Sequence, residues 1–376
     1  MMKIEHLGKC GMTELFGGIY KGKTILLTGH TGFKGSWLAL WLSHMGAKVI
    51  GYSLEAPTNP NHLELLDFEM ISIIGDIRDR AKLDGVFDTY QPDIVFHLAA
   101  QPLVRLSYDE PIETFDTNVM GTLKVFEASR KTPSVKAIVN ITSDKAYENK
   151  EWIWGYREND PMGGYDPYSA SKGCAELVVS SYRHSYFNLE DYSNTHNVLL
   201  ASCRAGNVIG GGDWAQDRLM TDIMLSVSQG KKVEIRSPDA TRPWQHVLEP
   251  LSGYLAIGQK LLEGKKEFAE GWNFGPENEG SITVKKLVET VKKYWNDIDY
   301  KIVKTDKNLH EANLLKLDCS KANNLLGWQS VWNSDSTFEK TITWYKSFYK
   351  DKHILTQENL KSYIAAATTK KLNWAI

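Results

Sequence analysis

Apolar positions recur with two different spacings along the first two hundred residues of the chain. Short continuous apolar runs, of which 24–27 is the first, alternate with segments such as 36–45, where apolar residues return every three or four positions. The first spacing predicts buried strands and the second predicts helices. The other predicted strands are 48–52, 71–74, 94–98, 137–141 and 198–202, and further helices are predicted at 79–90 and 113–131. This alternation predicts a parallel sheet covered on both faces, the doubly wound (Rossmann-type) α/β fold.

The pattern changes after Arg204, where glycine-rich and aromatic loops at 207–214 and 237–244 replace the alternating elements. Helical spacing returns at 284–295 and 336–349. We therefore expect a smaller, mixed α/β substrate-binding domain. The predicted division is an N-terminal arm (1–20), a dinucleotide-binding domain (21–203 with 244–274), a substrate-binding domain (204–243 with 275–350) and a C-terminal tail (351–376).

Composition narrows the range of functions. Lys plus Arg is 44 and Asp plus Glu is 46, a net charge of −2 that offers no basic excess for nucleic acid. No apolar stretch approaches the roughly 20 residues that span a bilayer, and the N-terminus lacks the apolar core of a signal peptide. The cysteines, Cys10, Cys174, Cys203 and Cys319, lack metal-site spacing. We expect a cytoplasmic protein without a membrane partner, nucleic acid or metal site.

A glycine-rich turn, 28–35, follows the first predicted strand and opens the first helix. Glycines let a dinucleotide pyrophosphate approach the backbone, and the helix N-terminus favours the anion. The strand-turn-helix context favours nucleotide binding over a purely structural turn. Asp76, after the third strand, is placed to recognise an adenine amino group, and the alternative is a solvated turn aspartate.

Two further segments carry candidate chemistry. Tyr168 and Lys172 are four residues apart on a predicted helix, so Lys172 is expected to lower the pKa of the Tyr168 phenol and make it a base. In isolation, a tyrosine and a lysine on an exposed helix face would be the simpler interpretation. Ser143, Asp144 and Lys145 follow the fifth strand, at the sheet edge that faces the cofactor crevice, although Ser-Asp is also a common helix cap.

In this order, the motifs resemble the extended short-chain dehydrogenase/reductase family, and the resemblance covers about 21–349. The family pattern is T-G-x-x-G-x-x-G, an acid after the third strand, H-L-A-A (here 97–100) and Y-x-x-x-K. It implies NAD as cofactor and a homodimer through 113–131 and 167–187. The implied cofactor-binding residues are Gly29, Gly32, Phe33, Lys34, Gly35, Ser53, Asp76, Ile77, Leu98, Ala99, Ala100, Gln101, Tyr168 and Lys172.

A narrower set of segments, 30–37, 143–145, 204–214, 242–247 and 315–321, is similar to the CDP-glucose 4,6-dehydratase branch of this family. That similarity implies CDP-D-glucose as substrate, CDP-4-dehydro-6-deoxy-D-glucose as product and a place in deoxysugar biosynthesis. The implied catalytic residues are Ser143, Asp144, Lys145, Tyr168 and Lys172. The implied substrate-binding residues are Arg105, Asn207, Arg218, Glu234, Arg236, Arg242 and His310.

The reaction sets the roles. Oxidation at C4 makes the C5 proton acidic, so Tyr168, assisted by Lys172 and Ser143, would take the C4 hydroxyl proton. Asp144 would protonate the departing C6 hydroxyl. Lys145 stands where the related dTDP-glucose dehydratases are expected to have a glutamate base. It acts as that base if its amine is neutral, or else stays charged and stabilises the enolate while another group removes the proton.

Several alternatives stay open at this stage. Ser53, rather than an acid, ends the second strand, which favours NAD without excluding NADP. No arginine follows His310, although relatives place a diphosphate-binding one there. Arg218 is equally interpretable as a surface ion pair, and Gln101 and Arg105 as loop-locking residues. The rival functions are an epimerase or reductase of the same fold and a noncatalytic dinucleotide sensor.

Overall fold

A seven-stranded, wholly parallel sheet organises the chain. The computed structural model describes residues 11–235, 238–276, 281–303 and 314–376. The strands of the large sheet are β1 (Thr24–Thr28), β2 (Lys48–Ser53), β3 (Ile71–Ile74), β4 (Ile94–His97), β5 (Ala137–Ile141), β6 (Leu199–Ala205) and, later in the chain, β10 (Gly271–Phe274). Their spatial order is β10-β6-β5-β4-β1-β2-β3. The predicted doubly wound fold is therefore confirmed.

Helices cover both faces of the sheet. They are α1 (Phe33–His44), α2 (Arg80–Tyr90), α3 (Val104–Asp109), α4 (Pro111–Phe115), α5 (Thr122–Lys131), α6 (Pro167–Ser185) and α8 (Leu248–Leu262). The helix predicted over 113–131 is interrupted by a π-helical stretch, Asp116–Gly121. There Gly121 lies so close to Ile77 that a Cβ would be 2.5 Å from its Cδ1 atom. The interruption presents Asn118 to the loop that follows β4.

Smaller elements gather beyond the carboxyl ends of the large sheet. β11 (Ser281–Thr283), β9 (Thr241–His246) and β7 (Asn207–Ile209) form one sheet, and β12 (Tyr300–Ile302) pairs with β8 (Val233–Ile235). With α7 (Leu219–Ser228), α9 (Val284–Val291) and α10 (Ser334–Asp351) they enclose a separate hydrophobic cluster that includes Trp214, Trp244 and Trp344. The domain boundaries drawn from the sequence stay a prediction.

Both described ends of the chain pack against the same core. Met12–Gly18 forms a 3₁₀ helix, and the Phe16 ring stacks on Trp374 with centroids 5.1 Å apart. The C-terminal segment forms α11 (Thr356–Thr369), which buries Tyr363. The segment 12–20, part of the predicted N-terminal arm, therefore packs against the core and buries Leu15, Phe16 and Tyr20; residues 1–10 lie outside the described part. No helix in the described ranges is long and apolar enough to cross a membrane.

Candidate active site

A cleft of about 1140 Å³ opens at the carboxyl ends of the parallel strands. It lies where the strand order reverses, because β1 has β2 on one side and β4 on the other. Such switch points are where open α/β sheets bind ligands. The smaller sheets form the opposite wall. This volume exceeds that of a typical pocket for one small ligand, so the cleft has room for two.

The glycine-rich turn forms one end of the cleft. Gly29 has φ +79°, and a Cβ there would lie 2.8 Å from the backbone nitrogen of Ala99. A Cβ at Gly35 would overlap the carbonyl oxygen of Gly29. Gly32 caps α1 without a side chain, which leaves the first helical amides open to the cleft. Only glycine fits at positions 29 and 35, and the turn has the shape and the donors that a dinucleotide pyrophosphate requires.

Beside this turn, the ends of β2 and β3 supply Ser53 and Asp76. The Ser53 hydroxyl is 2.9 Å from that of Thr31, so it is tied to the glycine-rich turn. The Asp76 carboxylate accepts from the Arg78 amide at 2.8 Å and from its guanidinium, which lowers the pKa of Asp76. Asp76 and the buried Ile77 both line the cleft. Asp76 is thus a fixed anion at the cleft wall rather than a freely solvated turn residue.

The segment after β4 divides into cleft and loop residues. Leu98, Ala99 and Ala100 line the cleft. Gln101 does not: its amide donates to the Thr114 hydroxyl at 2.8 Å, and its backbone nitrogen donates to Asn118 at 2.8 Å. These bonds agree with loop locking, the alternative left open above, and the role of Gln101 as a cofactor residue stays a prediction.

Tyr168 and Lys172 lie one turn apart on α6, and both are buried in the cleft wall. Burial raises the pKa of Tyr168 to about 12, and the opposing contributions include the Ser143 hydrogen bond and the Arg218 charge. The expected fall in the pKa of Tyr168 is thus wrong for the protein alone, because desolvation of the phenolate outweighs the Ser143 hydrogen bond and the Arg218 charge.

The segment Ser143–Lys145 begins a single 3₁₀ turn after β5. The Ser143 hydroxyl donates to Asp144 Oδ1 at 2.9 Å and accepts from the Lys145 amide at 3.3 Å. Asp144 is 5% exposed, and burial raises its pKa. Gly206 makes room for it, since a Cβ there would be 2.9 Å from Asp144 Oδ2. Lys145 is half-buried. A carboxyl group with a raised pKa suits a proton donor.

A second lysine, Lys34 on the first turn of α1, joins this group. Burial lowers the pKa of Lys34 to about 8, and the Arg218 charge lowers it further, while Asp144 opposes the shift. Burial also lowers the pKa of Lys172 to about 8, with Lys34 as the second cause. The two amines and Asp144 therefore influence one another's pKa values. Lys34 belongs to the glycine-rich turn in sequence, yet it lies close enough to Asp144 and Lys172 to act on them.

Arginines and polar residues line the opposite wall. Arg218 pairs with Asp213 at 2.5 Å and both line the cleft, so the ion pair lies at the cleft wall; the role of Arg218 in binding substrate stays a prediction. Arg105 pairs with Asp217 at 3.0 Å and also lines the cleft, at its more exposed rim. Asn207, Glu234 and Arg242 line the cleft from β7, β8 and β9. Arg236 and His310 lie outside the described residues, as does the segment just after His310, where relatives place an arginine.

Sequence reasoning missed residues that hold the candidate site residues in place. Asp166 caps α6 by accepting from the Ser169 amide at 2.9 Å, and the Asp-Pro pair before Tyr168 is a helix-start signal that announces it. Asp213, which orients Arg218, carries no such signal. Nor does Glu176, which lies one turn beyond Lys172 and binds Arg204 beneath the cleft. These partners depend on contacts between distant segments.

The chain matches the model of one protein family, GDP-mannose 4,6 dehydratase, over residues 26–341. The chain belongs to this family. It is 53% identical to the CDP-glucose 4,6-dehydratase of Salmonella typhimurium (strain LT2) over 353 residues, which cover 93% of this chain and 98% of the relative. The resemblance to the extended short-chain dehydrogenases/reductases is confirmed.

Two solved structures of other proteins share the architecture. The epimerase Mth375 of Methanothermobacter thermautotrophicus superposes with a TM-score of 0.78 at 22% identity, covering 94% of this chain and 99% of that one. A dTDP-glucose 4,6-dehydratase of Bacillus anthracis, solved with NAD, has a TM-score of 0.70 at 23% identity, covering 87% and 97%. At these identities the likeness establishes the fold.

Proposed function

We propose that this chain is an NAD-dependent CDP-glucose 4,6-dehydratase, a hydro-lyase that converts CDP-D-glucose to CDP-4-dehydro-6-deoxy-D-glucose and water. The observation that carries the proposal is that Asp144 and Lys145 share one cleft with Tyr168 and Lys172. A tyrosine and a lysine suffice to oxidise an alcohol, whereas the loss of water needs a further acid and base. The 53% identity to the Salmonella CDP-glucose 4,6-dehydratase supports the choice of substrate.

Oxidation at C4 comes first because an unactivated C5–H bond is too weak an acid to lose its proton. Tyr168 is the proton acceptor for the C4 hydroxyl. Since burial holds the pKa of Tyr168 at about 12, the phenolate depends on the nearby Arg218 charge and on the Ser143 hydroxyl, which turns its proton from Asp144 to the phenolate. Lys172 adds a buried positive charge one helical turn away. These groups stabilise the phenolate while the proton moves.

Elimination uses the turn after β5. Asp144, whose pKa burial raises, donates its proton to the C6 hydroxyl, which leaves as water. Lys145, the next residue, acts on C5, either by removing its proton as a neutral amine or by stabilising the enolate as a cation. As a base, Lys145 would contact the C5 hydrogen; as a cation, it would lie near the C4 oxygen, which carries most of the enolate charge.

The cleft residues fit NAD. The glycine-rich turn leaves the first amides of α1 open, and Ser53, Asp76, Ile77 and the segment 98–100 line the adjoining wall. When bound there, NAD supplies a hydride acceptor for C4 and afterwards a hydride donor for C6. Ser53 lacks the positive charge that a 2′-phosphate requires, which favours NAD over NADP.

We further propose a homodimer. An apolar groove on the surface is lined by Pro111, Ile112, Phe115, Val119 and Met120, and Ile112 is 85% exposed. Leu177, on the adjacent α6, is 62% exposed. A second copy of the same face would cover this apolar surface. We also propose a cytoplasmic location, because the charged ligands named here do not cross a membrane unaided.

Incubation with CDP-glucose and NAD, followed by mass spectrometry, tests the proposal. We expect a product lighter than the substrate by one water, formed faster from CDP-glucose than from the UDP, dTDP or GDP sugars. A product of unchanged mass would indicate an epimerase, and the absence of any product would indicate a noncatalytic protein. Titration with both dinucleotides tests the cofactor, and tighter binding of NADP would overturn that choice.

A further inference from the structure

A buried ion pair lies directly beneath the catalytic groups. Glu176 of α6 and Arg204 of β6 have side chains that are 3% and 4% exposed, and two hydrogen bonds of 2.8 and 2.9 Å join them. Neither residue lines the cleft. A buried pair of this kind contributes little net stability compared with apolar side chains of the same volume, because desolvation of both charges is costly. The pair is therefore better explained by the residues that it holds in place than by the stability that it adds.

Each member of the pair binds one end of the catalytic turn. Glu176 accepts from the Thr142 hydroxyl, and Thr142 immediately precedes Ser143. Arg204 donates to the Tyr147 hydroxyl at 2.6 Å, and Tyr147 follows the turn Asp144–Ala146. The guanidinium carbon also lies 5.0 Å from the centre of the Tyr147 ring. The residues on both sides of the segment 143–146 are thereby tied to one ion pair.

The remaining polar groups of the pair are also satisfied. Glu176 accepts from Ser202 at 2.8 Å, and Arg204 donates to the Glu158 carbonyl at 3.0 Å. The Tyr147 hydroxyl in turn donates to Asn273 at 2.8 Å. A fully satisfied buried network has one arrangement and resists small displacements. The catalytic turn is therefore fixed relative to α6, which carries Tyr168 and Lys172.

We propose that Glu176 and Arg204 form a positioning clamp, which holds the turn of Ser143, Asp144 and Lys145 at the distance from Tyr168 that elimination requires. The clamp rests on the function proposed above. Within the turn itself, the Ala146 amide donates to the Ser143 carbonyl at 3.1 Å, the Tyr147 amide to the Asp144 carbonyl at 3.3 Å, and the Ser143 hydroxyl to Asp144 at 2.9 Å. These local bonds shape the turn, whereas the ties to the clamp fix its two ends relative to α6 and β6.

Tyr147→Phe and Thr142→Val test the clamp, because each removes one hydroxyl tie and leaves the buried charges paired. We expect kcat to fall about 10- to 100-fold in each, with the KM for CDP-glucose within about twofold of wild type. In Tyr147→Phe, the fraction of bound nicotinamide that is reduced during turnover should rise, since oxidation continues on α6 while elimination slows. Tyr363→Phe is the matched control: it removes a buried hydroxyl that bonds another buried carboxylate, Glu249, at 2.8 Å.

Hydrogen exchange of the protein without substrate provides a readout independent of turnover. The amides of 143–148 should exchange faster in both variants and at the wild-type rate in the control. Unchanged exchange would overturn the clamp, and faster exchange with unchanged kcat would overturn its positioning role. If wild type does not dehydrate CDP-glucose, the proposed function fails, whereas the exchange result still decides the clamp. If one variant does not fold, the other carries the test.

Discussion

Arg218 provides the sharpest test of the substrate wall. Its guanidinium bonds Asp213 at 2.5 Å inside the cleft, and its charge lowers the pKa of Tyr168 against the effect of burial. Arg218→Met removes the charge and keeps most of the side-chain volume. We expect both substrate binding and proton transfer to suffer, because one positive charge serves the diphosphate and the phenolate.

The magnitude follows from the contact that would be lost. A hydrogen bond between a guanidinium and a phosphate contributes about 1.5–3 kcal/mol, so the KM for CDP-glucose should rise roughly 10- to 150-fold. The Arg218 side chain is 35% exposed, and solvent screening places the effect toward the lower end of that range. The KM should rise less in Arg218→Lys, because lysine keeps the positive charge although it lacks the planar guanidinium.

Steady-state kinetics with saturating NAD, repeated across pH, measure both effects. Removal of the Arg218 charge raises the pKa of Tyr168 further, so the rise of kcat with pH should move to higher pH. Arg80→Met is the control, because Arg80 is 29% exposed and bonds Asp84 at 2.6 Å outside the cleft. A KM for Arg218→Met that is indistinguishable from that of the control would refute the assignment of Arg218 to the substrate.

Three further predictions concern single groups. Tyr168→Phe should lower kcat about 10²- to 10⁴-fold and leave NAD affinity unchanged, as followed by product formation and dinucleotide titration; near-normal turnover would remove Tyr168 from the reaction. Lys145→Met should abolish solvent-deuterium incorporation at C5, measured by mass spectrometry, and undiminished incorporation would refute a role at that carbon. Lys145→Arg keeps the charge, so recovery of exchange in it would assign enolate stabilisation rather than base catalysis. Glu249 accepts from the Trp332 amide at 2.8 Å, and burial raises its pKa from 4.5 to about 7, so the folded state binds this proton more tightly than the unfolded state. The stability of wild type relative to Glu249→Gln should therefore be greatest below about pH 4.5 and fall by about 3 kcal/mol as the pH rises through 7; denaturant unfolding that shows a constant difference would contradict this.

The central sheet could be predicted because its strands are continuous apolar runs that local sequence reveals. β10 was not predicted, since Gly271 and Asn273 interrupt its apolar run, and its place beside β6 depends on α8 returning the chain to the sheet. The packing of Phe16 against Trp374 was missed for a similar reason, because it joins opposite ends of the chain. Local pattern predicts elements, whereas pairing between distant segments decides their neighbours.

The candidate site shows the same division. Motif order brought Ser143, Asp144, Tyr168 and Lys172 together, because all four follow from strand ends and helical spacing. The direction of the Tyr168 pKa shift did not follow, since it depends on how much water the opposite wall excludes. The role of Glu176 also stayed hidden, because its partner Arg204 lies on another segment. Local sequence patterns do not predict the extent of burial at a site or the hydrogen bonds between distant segments.

The central claim is that a hydride leaves C4 of the sugar and returns to C6 of the same molecule. CDP-glucose carrying deuterium at C4 tests this directly, with the product analysed by mass spectrometry and NMR. We predict that the deuterium is recovered at C6 and that the C5 position takes its hydrogen from solvent. Deuterium that remains at C4, or that is lost to solvent without reaching C6, would contradict the account.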